Sequence, residues 1–276
     1  MSRALIIEFV KMSGAGNDFI VLDNRFYGFS DSELSSLAKK ACPRRTGIGA
    51  DGLLALAAAE LPDADYRMIY INADGSEGTM CGNGARCLAK FAFKTGLCKD
   101  VANMQTSSGI CEVHISEEGP VRIYQDFPLN YNNSIVLQSE VPAEIQSVHY
   151  LWPGTQHIVC FVSDVDQLPV EHWGPRFRND PGLGSEGANI NFVSMVFNSG
   201  EKYLHVRTYE KGVEEETLAC GTGAIASVVA AHHSGIITVD VCKVKMPGGI
   251  LTVGLKGNRI FLEGPAETVY RGSMKL

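Results

Sequence analysis

The 276-residue chain has no apolar run long enough to cross a bilayer, which excludes a membrane-spanning helix. It has no block of Lys and Arg either. With 24 basic against 31 acidic residues and a net charge of −7, the electrostatic footprint of a nucleic-acid binder is missing, and a small-molecule partner is expected instead. The opening MSRALIIEFV carries one Arg and a short apolar stretch, but neither the length nor the small-residue cleavage site of an export signal. It reads as a first strand, and the cytoplasm is the expected compartment. Metal-ligand spacing is absent too. Cys81 and Cys87 are six apart, about 240° around a helix, so they cannot hold one ion and no metal is expected. The eight cysteines form an even set, yet a chain of this length has no need of covalent staples, so reduced thiols are expected.

What is present is self-resemblance at a nearly fixed offset. GNDFIV from Gly16 matches GTQHIV from Gly154, and GADGLL from Gly49 matches GANINF from Gly187, both 138 residues on. MCGNGA with Cys81 matches ACGTGA with Cys220, and the helical stretches that follow end in Thr95-Gly96 and Ser234-Gly235, both 139 apart. Four matches in one order and register point to two similar domains related by a pseudo-twofold axis. Short apolar runs such as Phe19–Leu22, Tyr66–Ile71, Ile158–Val162, Phe192–Phe197, Leu204–Tyr209 and Val239–Val244 read as strands. Residues 85–94 and 224–233 read as helices stopped by Gly, apolar on most faces and therefore central in each domain. A third helix, 30–42, looks peripheral. The fold expected is α/β (α+β), with domains 1–127 plus 263–276, carrying Cys81, and 128–262, carrying Cys220.

Each repeat sets a Cys directly before Gly-x-Gly-Ala and a helix. The first amides of a helix lack internal partners and carry partial positive charge, which lowers a thiol's pKa and also attracts an anion. Gly82, Gly84, Gly221 and Gly223 let a ligand approach the backbone. If pseudo-symmetry brings both helix starts to one interdomain cleft, amides near Gly82-Asn83 and Gly221-Thr222 can hold an amino acid's α-carboxylate. One thiolate then takes the Cα proton while the other thiol gives one from behind. That inverts a stereocentre with no cofactor. A Cys before a helix is ordinarily a small buried hydrophobe; equivalence under the duplication is what singles out Cys81 and Cys220. Cys42, Cys87, Cys98, Cys111, Cys160 and Cys242 have no such repeat partner and read as packing residues.

KMSGAGNDF (11–19), GIGADG (47–52), NADGSEGTMCGNGARC (72–87) and EETLACGTGA (215–224) resemble the diaminopimelate epimerase family of bacterial lysine and peptidoglycan biosynthesis, in order over nearly the whole chain. The resemblance implies two domains, each a sheet wrapped around a central helix, and a cytoplasmic homodimer. It implies conversion of LL-2,6-diaminopimelate to the meso form, Cys220 taking the proton and Cys81 giving one. By position, Asn17, Asn72, Asn189, Glu210 and the Gly82-Asn83 and Gly221-Thr222 amides would bind substrate. His157 and Glu210 match residues that adjust the thiols' pKa, and Tyr270 a dimer contact.

Two departures from the family stand at the distal end of the substrate. The family's Gly-Asn-Pro-His is Gly154-Thr155-Gln156-His157 here, and its Glu-Arg-Gly is Glu210-Lys211-Gly212. Lys211 keeps the charge without the planar fork, and Thr155 offers a single hydroxyl. Relaxed selectivity that admits glutamate is one reading; local compensation by Gln156 or Lys211 is the other. A proline-type racemase and a non-enzymatic thiol redox or binding protein are the competing classes. Neither accounts for CGNGAR and ACGTG together.

Overall fold

The computed structural model describes residues 5–78, 80–126, 129–198 and 200–275. The chain divides into two compact units, Met1–Tyr124 with Glu263–Leu276, and Gln125–Leu262. The expected boundary between 127 and 128 falls outside the described residues.

In the first unit, Ile6–Gly14 pairs antiparallel with Asn17–Asp23, which runs parallel to Gly52–Ala57. Gly52–Ala57 pairs antiparallel with Tyr66–Asn72, that strand parallel with Val101–Thr106, and the last antiparallel with Gly109–Ile115. The second unit repeats the alternation: Ile145–Trp152, His157–Val162, Asn189–Asn198, Glu201–Tyr209, Val241–Met246 and Gly249–Lys256 are joined antiparallel, parallel, antiparallel, parallel and antiparallel. Each unit adds a strand beside its first, Glu267–Lys275 beside Ile6–Gly14 and Leu129–Asn132 beside Ile145–Trp152. The duplication visible in the sequence is thus a duplication of topology.

Burial explains the sequence pattern. In the first unit, Ala85, Cys87, Leu88, Ala89 and Ala92 of the helix Gly82–Lys94 pack with Phe19, Val21, Leu54, Leu56, Tyr66 and Met104 in one core. The intervening residues Ile20, Leu22, Leu53 and Ala55 turn the other way, onto Leu34, Leu37, Ala38 and Ala41 of the helix Asp31–Ala41. Strands covered on both faces read as unbroken apolar runs, FIVL and LLAL, although side chains alternate. Each fully buried Leu or Phe stabilises the unit by about 1.5–3 kcal/mol. The outer helix begins at a capping box, Ser30 with Glu33.

In the second unit the helix Gly221–His233 is buried from Gly223 through Ala231. The outer layer is a helix that the sequence did not announce, Val170–Arg178, which packs Val170 and Phe177 on Ile158, Cys160, Ile190 and Phe192. Gly174 and Pro175 disguise it. Gly174 is required because a Cβ there would come 2.4 Å from the Tyr209 ring. Both central helices start three residues before the expected 85 and 224, because Gly82, Gly84, Gly221 and Gly223 form first helical turns instead of breaking them. The expected strand Val239–Val244 lies at Val241–Met246.

Candidate active site

Cys81 and Cys220 are the N-caps of the two central helices, with φ −114°, ψ 115° and φ −123°, ψ 109°. Their carbonyls accept the first helical bonds, from Ala85 N–H at 2.8 Å and Ala224 N–H at 2.9 Å. The backbone therefore sets both thiols at the positive end of a helix dipole. The other thiols are placed differently. Burial pushes Cys87 and Cys111 up to about 12, and Cys42 and Cys98 up to about 11.

In the first unit, a tight turn with Ala15 at φ 61° and Gly16 at φ 90° presents Asn17. Its Nδ2 donates to Asp51, and Asp18 N–H donates to the same carboxylate at 3.0 Å. Arg44 bridges Asp18 at 2.8 Å and Asp51 at 2.7 Å, while Lys11 meets Asp18 at 2.6 Å. Burial opposes ionisation of Asp18, but the hydrogen bonds from Arg44 and Lys11 prevail and hold its carboxyl far below the usual range. With Nδ2 committed to Asp51, the Asn17 Oδ1 faces the Cys81 sulfur at 3.6 Å and Asn83 Nδ2 at 3.5 Å. Asn83 is oriented in turn by Arg86, which is fully buried and donates to Asn83 Oδ1 at 2.8 Å. Arg86 also holds the carbonyls of Gly82 and Pro265.

In the second unit, Gly223 N–H donates to Cys220 Sγ at 3.4 Å, and Thr222 Oγ1 lies 3.5 Å from the same sulfur. Thr222 Oγ1 is 2.9 Å from His157 Nε2. His157 is fully buried, and that burial pushes its pKa down to about 3, with the Lys211 charge adding to the effect. Asn189 Nδ2 donates to the Gln156 carbonyl at 3.2 Å, and its Oδ1 accepts from Lys211 N–H at 2.8 Å.

The remaining candidates stand further out. Gln156 Oε1 accepts from Lys211 Nζ at 3.1 Å and Thr155 Oγ1 at 3.2 Å, so the two departures from the family meet on one amide. Glu210 opens a turn whose Val213 and Glu214 amides donate to its carbonyl. Asn72 donates to Ser76 Oγ at 3.0 Å, within the turn that joins the two. Tyr270 is exposed on Glu267–Lys275, edge-on to Phe9. Among the described residues, no group of three or more His, Cys, Asp or Glu is arranged to hold a metal.

Sequence reading did not single out Asp51, Arg86 or Asn191. A signal existed for Asn191: Asn at alternate positions of the buried ANINF run puts two amides on one strand face.

The diaminopimelate epimerase family model matches residues 9–128 and again 150–269. The chain is 38% identical over 272 residues to a diaminopimelate epimerase of Chlorobaculum tepidum, covering 96% of this chain and 100% of that one. It is 37% identical to that of Methanothrix thermoacetophila, with coverage of 96% and 95%. Solved structures of like fold include a phenazine biosynthesis protein of the PhzF family from Bacillus anthracis, with TM-score 0.75, 16% identity and coverage of 99% and 100%. A hydroxyproline epimerase from Agrobacterium vitis matches with TM-score 0.64, 14% identity and coverage of 98% and 93%.

Proposed function

The chain belongs to the diaminopimelate epimerase family, and on that premise we propose that Cys220 and Cys81 are its base and acid. The protein is an isomerase that interconverts LL- and meso-2,6-diaminopimelate. The observation that carries the assignment is the placement of two thiols as N-caps of equivalent helices with nearly the same backbone angles.

The Cys220 thiolate takes the Cα proton, the electron pair of the broken C–H bond spreads onto the carboxylate, and the Cys81 thiol delivers its proton to the opposite face. Cys220 is left as thiol and Cys81 as thiolate, and the reverse direction exchanges them. Amides of Gly82-Asn83 and Gly221-Thr222 hold the carboxylate where charge develops, which is where a helix dipole lowers the barrier. The scheme calls on no cofactor. Asn17, Asn72, Asn189 and Glu210 bind substrate, Thr155 and Lys211 meet its distal end, and His157 with Glu210 tunes the thiols. A cytoplasmic homodimer with Tyr270 at its contact completes the proposal; a monomeric mass in solution would remove that part.

The test is turnover of LL-diaminopimelate in deuterium oxide without added cofactor. Wild type should invert the centre and incorporate solvent deuterium there, and Cys81→Ser and Cys220→Ser should each lose about a thousandfold or more. Full activity in either variant ends the two-thiol assignment.

A further inference from the structure

Asn191 is fully buried beneath the start of the second helix and every polar atom of its amide is committed. Oδ1 accepts from Thr208 Oγ1 at 2.9 Å, while Nδ2 faces the Ile158 carbonyl at 2.9 Å and His157 Nδ1 at 3.0 Å. A carbonyl oxygen only accepts, so the atom against Ile158 must be the NH₂ group, and the amide has one orientation. Nδ2 then donates to His157 Nδ1, which leaves Nδ1 without a proton. The buried ring, with the Lys211 cation acting on it, is neutral, so its single proton sits on Nε2. Nε2 lies 2.9 Å from Thr222 Oγ1 and 3.4 Å from Asn189 Nδ2, and of these only the hydroxyl oxygen can accept. A hydroxyl that accepts from Nε2–H keeps one hydrogen to give, and Cys220 Sγ is 3.5 Å away.

We infer that Asn191 is a positioning residue: its amide holds His157 as the Nε2–H tautomer, which turns the Thr222 hydroxyl hydrogen onto the Cys220 sulfur. Together with Gly223 N–H, this aims two donors from the second unit at that sulfur, an arrangement that favours thiolate over thiol. The helix start is seated on this amide. A Cβ at Gly223 would come 2.3 Å from Asn191 Oδ1, so glycine is what lets the first turn rest there. The inference rests on Cys220 acting as base.

Titration of thiolate absorbance in a Cys81→Ser background reads Cys220 directly, because burial pushes the other six thiols upward. Thr222→Val, which keeps the backbone amide and loses the hydroxyl, should raise the Cys220 titration by about one pH unit, and Thr222→Ser should restore it. Asn191→Leu should do as Thr222→Val does. In protein with intact Cys81, both should move the acid limb of kcat/KM for LL-diaminopimelate upward by the same amount. Imidazole ¹⁵N spectra of wild type should show His157 protonated at Nε2 and bare at Nδ1. A Thr222→Val titration that coincides with wild type, or a proton on Nδ1, overturns the inference. Should Asn191→Leu fail to fold, the Thr222 pair and the wild-type spectrum still decide. The absorbance needs no substrate, so its failure is distinct from failure of the epimerase assignment, which appears as absent deuterium.

Discussion

Gly84 and Gly223 hold the same place in the first turns of the two central helices, and the surfaces beneath them differ. Under Gly84 a Cβ would find Leu54 Cδ2 at 3.2 Å and Phe19 Cζ at 3.4 Å; under Gly223 it would meet Asn191 Oδ1 at 2.3 Å. Strand pairing makes Phe19 the counterpart of His157 and, one residue on from the GADGLL–GANINF match, Leu54 that of Asn191, since Phe19 lies opposite Gly52 and His157 opposite Asn189 in the corresponding parallel pairs. Duplication has kept the backbone and exchanged an apolar seat for a hydrogen-bonded one. The thiols meet different groups as a result. Cys81 faces the Asn17 oxygen, which can only accept and so favours S–H, whereas Cys220 faces the Gly223 N–H and the Thr222 hydroxyl. On the proposed assignment, the duplicated unit thus supplies an acid and a base from the same helix position.

Alanine at these two glycines should separate the seats most sharply. Gly223→Ala pushes a methyl into an oxygen held by Thr208, and the cost should reach about 2–4 kcal/mol with near-total loss of turnover. Gly84→Ala presses on a Leu methyl that can shift, and the gain of about 1 kcal/mol from alanine in a helix offsets the crowding. Its net effect should stay within about 1 kcal/mol. Urea unfolding midpoints of the two variants give the comparison, and equal losses would show that the seats do not differ mechanically.

Acid stability should divide the units next. His157 ionises at about 3 folded and at 6.5 unfolded, so between those values the unfolded chain binds the extra proton. Its contribution is complete above pH 6.5 and falls by about 1.4 kcal/mol per pH unit as pH drops toward 3. His149 and His205 are also lowered by burial, so the measurement is the difference between wild type and His157→Gln, whose slope in this window should be shallower. Asp18 works in another range: its folded pKa lies below 3.8, so the stability from its bonds to Arg44 and Lys11 is lost only as pH falls past that value. If His157→Gln unfolds with the wild-type pH slope, the buried imidazole is not the source.

The repeat and both N-cap cysteines were legible because they rest on local rules: a Cys before Gly-x-Gly-Ala, and an apolar helix ended by Gly. The strand Gly52–Ala57 and the helix Val170–Arg178 were not. The first has no alternation to read because both faces are covered, and the second carries Gly174 and Pro175 inside it. At the candidate site, the proposed substrate-binding residues could be placed by likeness, but what orients them could not. Asp51 fixes Asn17 from 34 residues away, and Asn191 fixes His157 from the same distance. Such pairs exist only once parallel strands are laid side by side, and a single sequence does not encode that register in any short pattern.

The smallest effect expected lies at Lys211. Its ammonium shares Gln156 Oε1 with the Thr155 hydroxyl and stands 3.5 Å from Glu186, so the charge is retained while the two-pronged grip of a guanidinium is absent. A site that holds a distal group by single bonds rejects a substrate lacking that group less firmly, because fewer buried partners are left unpaired. Glutamate should therefore exchange its α-hydrogen with deuterium oxide at a rate about a hundredfold below diaminopimelate, and Lys211→Arg should widen that gap. Gln156→Ala, which removes the shared acceptor, should narrow it by freeing Lys211 to follow a shorter carboxylate. Proton NMR of the glutamate α-position over hours of incubation is sensitive enough to register this. A signal no different from the Cys81→Ser control would mean that Gln156 and Lys211 together restore the discrimination, and that the second unit has changed its distal side chains without changing what it selects.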